Sequence, residues 1–237
     1  MGEGLRLALL GGAEVQLDGA PVSGFYSSKA QALLFYLAVA THPREVPPYT
    51  RSGLAGLLWA DMPEADARTN LRQVLSNLRR LVGPHLDITR QSVAFKRDSS
   101  YWLDVEAFHA GVANGGDIED VLQLREAVEL YQGDFLAGFH VRDAPIFEEW
   151  TLAQKERLRR MALDALHTLA ESYSAQGDHE NGITYTRRLL GLEPWDEGAH
   201  RRLMSLLAQG GQRADALAQY ERCRQVLREE LDVEPGA

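Results

Sequence analysis

From about residue 105 to the end, apolar residues recur only at helical spacing, whereas the first hundred residues mix two-residue alternation with helical stripes. A chain with that change of period folds as a mixed part followed by an all-helical part, and 237 residues suit two compact domains. The division is expected at 104/105, giving domains 1–104 and 105–237 in a mostly α protein with a small β part. In the first part, Leu5, Leu7 and Leu9 alternate with Arg6 and Ala8, Gly11-Gly12 interrupts, and Val15 and Leu17 resume the period. Asp18-Gly19 then signals a hairpin, since both central positions of a type I′ turn need positive φ, and Val22 follows it.

Three helices are expected next. Ser27 or Ser28 can cap one through Ala30, Leu33, Leu34, Leu37 and Ala38. After a proline-marked connection, His42 to Pro48, a second covers about 50–60, although Gly53 and Gly56 weaken it. Asp61-Met62-Pro63-Glu64 opens the third, with Asp61 as N-cap, Glu64 completing a capping box and Pro63 in the first turn. This helix should run to Val82 and stop at Gly83-Pro84. Leu86, Ile88, Val93, Ala94 and Phe95 then predict a hairpin with Arg90 and Gln91 at its tip, and Tyr101-Trp102-Leu103 closes the domain.

In the helical part, Asn114-Gly115-Gly116 and Gln132-Gly133-Asp134 mark turns, and a long helix covers about 143–176. Ala175-Gln176-Gly177 is followed 34 residues later by Gln209-Gly210-Gly211, and Gly182-Ile183 by Ala216-Leu217. Thirty-four residues is the tetratricopeptide period, in which small residues let paired helices approach closely. Trp150, Tyr173, Tyr185, Trp195 and Tyr220 could line a groove there, but helical spacing places such aromatics more often in a core.

Charge is distributed as unevenly as period. The net charge of −9 conceals 11 Lys+Arg against 10 Asp+Glu in residues 1–104, and 14 against 24 in residues 105–237. Residues 68–97 carry seven basic side chains and one acid, Asp87, which is a footprint suited to phosphates. At 100° per residue, Ala67, Leu71, Val74, Leu75, Leu78, Leu81 and Val82 form the buried arc of the third helix. Thr69, Gln73, Ser76 and Arg80 centre the opposite face, with Arg72 beside them and Arg68 and Arg79 on its flanks. Arg can bridge guanine N7 and O6, Gln can bridge adenine N6 and N7, and Ser or Thr can bond several bases. Arg90, Lys96 and Arg97 on the following hairpin would add phosphate contacts, as a wing does beside a recognition helix. The expected DNA-binding set is therefore Arg68, Thr69, Arg72, Gln73, Ser76, Arg79, Arg80, Arg90, Lys96 and Arg97. A solvated basic helix in a protein-binding or effector-sensing scaffold is the competing reading.

Catalysis finds little support. There is no phosphate-binding Gly-rich loop ending in Gly-Lys-Ser/Thr, no His-Glu-x-x-His, and the histidines are scattered. Cys223, the sole cysteine, reads as a small core residue on an amphipathic helix. No cofactor, metal or membrane span is expected, and the setting is expected to be cytoplasmic.

Leu57-Leu58-Trp59-Ala60-Asp61, Ala67-Arg68-Thr69-Asn70-Leu71-Arg72-Gln73 and Leu78-Arg79-Arg80-Leu81 stand in an order that resembles the Streptomyces antibiotic regulatory protein family. Its DNA-binding domain is similar to the winged helix-turn-helix of response regulators. Tyr131-Gln132-Gly133-Asp134-Phe135-Leu136-Ala137-Gly138, Glu148-Glu149-Trp150 and Ala199-His200-Arg201-Arg202-Leu203-Met204 resemble the bacterial transcriptional activator domain that follows in that family. The resemblance implies an activator that binds direct promoter repeats in double-stranded DNA, as two protomers, and contacts RNA polymerase. Leu75-Ser76-Asn77-Leu78 departs from the family's commoner Val-Ser-Arg-Leu, which bears on sequence preference.

Overall fold

The fold is taken from a computed structural model that describes residues 4–40, 49–113 and 118–236. The expected connection His42 to Pro48 and the turn at Asn114-Gly115-Gly116 lie outside the described residues. Contacts divide the chain into two compact units, one of Met1–Ala110 with Leu130–Leu158, the other of Gly111–Glu129 with Arg159–Ala237.

In the first unit β1 (Leu5–Ala8) pairs antiparallel with β2 (Glu14–Leu17), which pairs with β3 (Ala20–Pro21). Asp18 and Gly19 between them both have positive φ, 52° and 81°, as the expected turn requires. On the other side β1 pairs in parallel with β7 (Tyr101–Leu103), so the closing strand returns to the start of the chain. Leu5 and Leu7 are buried on one face while Arg6 stacks its guanidinium 3.7 Å over Trp102 on the other.

Helix α1 (Ser28–Ala40) buries Leu33, Leu34, Phe35 and Leu37. A short strand β4 (Tyr49–Thr50) leads into α2 (Arg51–Leu58), which Thr50 caps by accepting the Gly53 N–H at 3.1 Å. Lys29 donates to the Leu58 carbonyl at the C-terminal end of α2, and burial pulls its ammonium below its usual pKa range. Then come α3 (Glu64–Val82), a 3₁₀ turn (Gly83–His85) and a hairpin of β5 (Leu86–Ile88) and β6 (Ser92–Phe95). Strand β4 joins the outer edge of β6, giving the order β4-β6-β5. This is the helix, helix and winged hairpin that the pattern predicts.

The start of α3 differs from the expected capping box. Pro63 occupies the cap position with no side-chain cap, and its carbonyl accepts the Asp66 and Ala67 N–H groups at 3.0 Å. Asp61 stays exposed one turn earlier, because Met62 N–H bonds the Trp59 carbonyl and closes a separate turn there. Glu64 and Asp66 instead favour the helix start through its dipole.

The packing also runs through residue 104. Asp104 is 3% exposed and opens α4 (Asp104–Ala113) directly after β7. Its carboxylate accepts the Leu9, Leu10 and Val105 N–H groups, while burial pushes its pKa above the usual carboxylate range. Residues 130–158 then return to the first unit. Leu10 bridges Phe135, and Leu136 N–H donates to the Leu9 carbonyl. Trp150 packs 5.0 Å from Tyr36 and 5.7 Å from Phe135, and Phe139 packs 5.3 Å from Phe35. The contact units therefore part at Ala110/Gly111, Glu129/Leu130 and Leu158/Arg159, with residues 130–158 grouped beside the first hundred because the aromatic cluster needs both segments.

The second unit contains most of α5 (Ile118–Leu130), the C-terminal part of α6 (Pro145–Ala175), α7 (His179–Leu192), α8 (Glu197–Gln209) and α9 (Arg213–Leu231). Leu124, Val128, Leu166, Leu169 and Leu189 form one cluster with Tyr173 and Tyr185, whose rings stack 5.5 Å apart. The 34-residue repeat is written into the backbone, since Gly177 and Gly211 both end a helix with positive φ, 73° and 79°. Gly182 lies on α7 where a Cβ would meet the Leu206 side chain of α8 at 3.2 Å, so the two helices approach closely and a larger residue would have to displace that side chain. Asp178 and Asp196 cap α7 and α8 through the Asn181 and Ala199 N–H groups. Cys223 is buried, as expected of a core thiol.

Candidate nucleic-acid interface

Helix α3 buries Ala67, Leu71, Val74, Leu75, Leu78 and Val82, which turns Thr69, Arg72, Gln73, Ser76 and Arg80 outward. All five are exposed. Arg72 and Arg80 engage no hydrogen-bond or ion-pair partner among the described residues. Thr69 donates its hydroxyl to the Ala65 carbonyl at 2.9 Å, so towards a ligand it can only accept.

Beside this face the tip of the wing is fixed by polar contacts. At its tip, Thr89 Oγ1 accepts the Gln91 and Ser92 N–H groups at 3.2 and 2.9 Å, which closes the turn holding Arg90 and Gln91. The same end is held to the helices, since Arg79 donates to the Ile88 carbonyl at 3.1 Å, and Arg51 donates twice to the Thr89 carbonyl, at 3.1 and 2.7 Å. The start of α2, the side of α3 and the wing tip thereby enclose a cleft of about 370 Å³. Arg51, Arg68, Arg72 and Arg90 all line it, with Thr50 and Ser52 at the helix start, and no acid among the described residues lines it. Four guanidinium groups beside a helix N-terminus make a phosphate-sized site of positive potential.

The expected residues separate into groups. Arg68, Arg72 and Arg90 meet at the cleft, although Arg68 also pairs with Glu64 at 2.6 Å. Both members of that pair are well exposed, so water screens it. Thr69, Gln73, Ser76 and Arg80 share the outward face, and Arg79 ties α3 to the wing. Lys96 is exposed just beyond β6.

Arg97 departs from expectation. Its side chain is only 20% exposed and donates to the Tyr101 hydroxyl, the Glu106 carboxylate and the Ala38 carbonyl. It also lies 5.2 Å over Phe95. Its charge is neutralised inside the unit, so it supports β6 and β7 rather than the exposed wing surface. Arg51 is the residue the pattern missed. The signal was local, a threonine N-cap followed by an arginine in the first turn of the helix before α3.

The family model of the bacterial transcriptional activator domain matches residues 103–237. The chain is 27% identical over 239 residues to the regulatory protein AfsR of Streptomyces coelicolor, covering 98% of this chain and 23% of AfsR. It is 26% identical to the regulatory protein DnrI of Streptomyces peucetius, covering 76% of this chain and 71% of DnrI. The solved structure of Mycobacterium tuberculosis EmbR in complex with a low-affinity phosphopeptide superimposes with a TM-score of 0.67 at 23% identity, over 98% of this chain and 62% of EmbR. The fold is thus the one found in EmbR, and the chain spans under a quarter of the length of AfsR.

Proposed function

We propose that this chain, which belongs to the bacterial transcriptional activator domain family, regulates transcription by binding specific double-stranded DNA through α3. The observation that carries the proposal is the outward face of α3, where Arg72 and Arg80 stand free of partners among the described residues, between Thr69, Gln73 and Ser76. An exposed helix that serves only solubility mixes signs at four-residue spacing, and this one has no acid after Asp66. With the face in the major groove, Arg72, Gln73 and Ser76 read base edges while the arginine cleft grips the backbone.

The named regulators to which the chain is similar favour a non-enzymic role and a cytoplasmic setting. Two protomers load head-to-tail on direct repeats, spaced by a helical turn or its multiple. The second unit contacts RNA polymerase, and Trp195 and Tyr220, 39% and 44% exposed, are the aromatics it offers to a protein surface.

Selection of bound sequences from a random duplex pool tests the central claim. A recovered motif occurring as a repeat, bound with steep salt dependence, is expected. Recovery of no motif, with duplex affinity unaffected by salt, overturns it and leaves a protein-binding scaffold. Lengthening the spacer between repeats by half a turn should abolish cooperative loading, and undiminished cooperativity would mean the protomers do not touch on DNA.

A further inference from the structure

The flank of α3 away from the wing carries a second device. At 100° per residue, Asn77 and Arg79 lie about 80° to either side of the line through Thr69 that centres the outward face. Arg79 reaches the wing, whereas Asn77 reaches back to the loop before α1. Asn77 Nδ2 donates to the Gly24 carbonyl at 3.0 Å, and the Tyr26 N–H donates to Asn77 Oδ1 at 2.9 Å. Both ends of the amide are used, so the loop is pinned to the helix in position and in orientation. Gly24, at φ 85°, makes the turn this needs.

The pinned loop presents Tyr26, which is 66% exposed. Its hydroxyl engages no partner among the described residues. Tyr26 therefore projects from a loop that two long-range hydrogen bonds hold beside the outward face of α3. What it meets there follows from dimensions. The major groove is about 12 Å wide and an α-helix with its side chains about 10–12 Å across, so a helix that fills the groove brings its two flanks against the two phosphate walls. The arginine cleft occupies the flank on the wing side, and Tyr26 occupies the other.

We infer that Tyr26 donates its hydroxyl to a backbone phosphate on the groove wall opposite the arginine cleft, with Asn77 as the residue that positions it. This rests on the reading of α3 as the recognition helix. It also gives a role to the asparagine where the resembled family more commonly has arginine, since the amide here holds a loop and does not face the outward centre of the helix. A neutral hydroxyl contributes affinity without sequence preference and without releasing a counterion.

The test uses the full chain and a duplex containing its selected motif, beside an unrelated duplex, in a fluorescence anisotropy titration over several salt concentrations. Tyr26→Phe is expected to weaken both duplexes about 2- to 10-fold, the loss of one neutral hydrogen bond, with the salt slope unchanged. Asn77→Ala should weaken binding by a similar factor, and the double variant no further than Asn77→Ala alone. Thermal unfolding of Tyr26→Phe should match the parent chain, which separates contact from fold. Unchanged affinity in Tyr26→Phe, or a loss confined to one base position, overturns the phosphate contact while Arg72→Ala still alters preference. Absence of salt-dependent duplex binding by the parent chain overturns the contact together with the reading of α3.

Discussion

Helices α3 and α9 each span 19 residues and carry four arginines, yet they present opposite surfaces. In α3 the acids, Glu64 and Asp66, both lie in the first turn, and the remaining sixteen-odd positions offer arginine, glutamine, asparagine and serine. In α9, Asp215, Glu221, Glu229 and Glu230 are interleaved with Arg213, Arg222, Arg224 and Arg228. Arg224 bonds Glu234 at 3.1 Å and approaches Glu221 at 4.0 Å, and Arg228 also pairs with Glu234. Arg72 and Arg80 have no such partner among the described residues. The lesson is that arginine content says little about anion binding. What distinguishes the helices is where the acids are: on α3 they stop in the first turn, whereas on α9 they are interleaved along the helix, so that its surface carries no net positive potential.

The comparison breaks most visibly at equivalent core positions. Leu75 on α3 and Leu227 on α9 are 3% and 2% exposed, so replacing either by alanine should cost about 2–5 kcal/mol of stability. Denaturant titration should give similar losses, but only Leu75→Ala should reduce DNA binding in proportion to unfolding. Equal loss of binding in Leu227→Ala would make α9 part of the DNA surface. A smaller effect is expected from giving each helix the same new acid. Ser76→Glu places a carboxylate among Arg72, Gln73 and Arg80 and should weaken binding on the order of a hundredfold at low salt. Ala218→Glu, on the exposed side of α9, should leave affinity unchanged. If both substitutions act alike, net charge rather than the α3 face governs binding.

Sequence preference sharpens the contrast further. Arg72→Ala or Gln73→Ala should cost about 1–3 kcal/mol at one base position and relax preference there. Arg222→Ala removes an equally exposed arginine from α9 and should leave the selected motif intact. A motif altered by Arg222→Ala would move the reading face out of the first unit.

How much of this was legible depended on the range of the interactions. Helix α3, the wing and the long helix α6 follow from local period, and Asp18-Gly19 and the Gly177/Gly211 pair from backbone demands at single positions. The aromatic cluster was not legible, because Tyr36, Phe135 and Trp150 meet from segments a hundred residues apart and none carries a local mark of its partner. A cut at 104/105 would therefore strip the first unit of Phe135, Phe139 and Trp150 and break the clasp of Asp104 on Leu9 and Leu10. The arginine cleft was half legible. Arg68, Arg72 and Arg90 stood out in a basic block, while Arg51 lay outside it and joins only through β4 and its bonds to Thr89.

The finest form of the comparison lies between two neighbours, Lys96 and Arg97. Both sit at the end of β6 and both add to the basic block, so pattern alone treats them alike. Arg97 resembles the paired arginines of α9, with Glu106 at 3.0 Å and two further acceptors, whereas Lys96 is exposed. Arg97→Ala should thus lower stability by about 1–3 kcal/mol, since it removes charged hydrogen bonds to the Ala38 carbonyl and to Glu106, which keeps only the Tyr101 hydroxyl as donor. Lysine is a poor replacement there, because one ammonium on a flexible stem does not reproduce the planar fork that spans Tyr101, Glu106 and Ala38. Neither change should alter the salt dependence of DNA binding once the folded fraction is allowed for. Lys96→Ala should do the reverse, leaving stability within about 0.5 kcal/mol and lowering the salt slope by about one unit for one lost phosphate contact. A slope that falls with Arg97→Ala and not with Lys96→Ala would mean that the guanidinium leaves its carboxylate for DNA, and the rule drawn from α3 and α9 would fail at the wing.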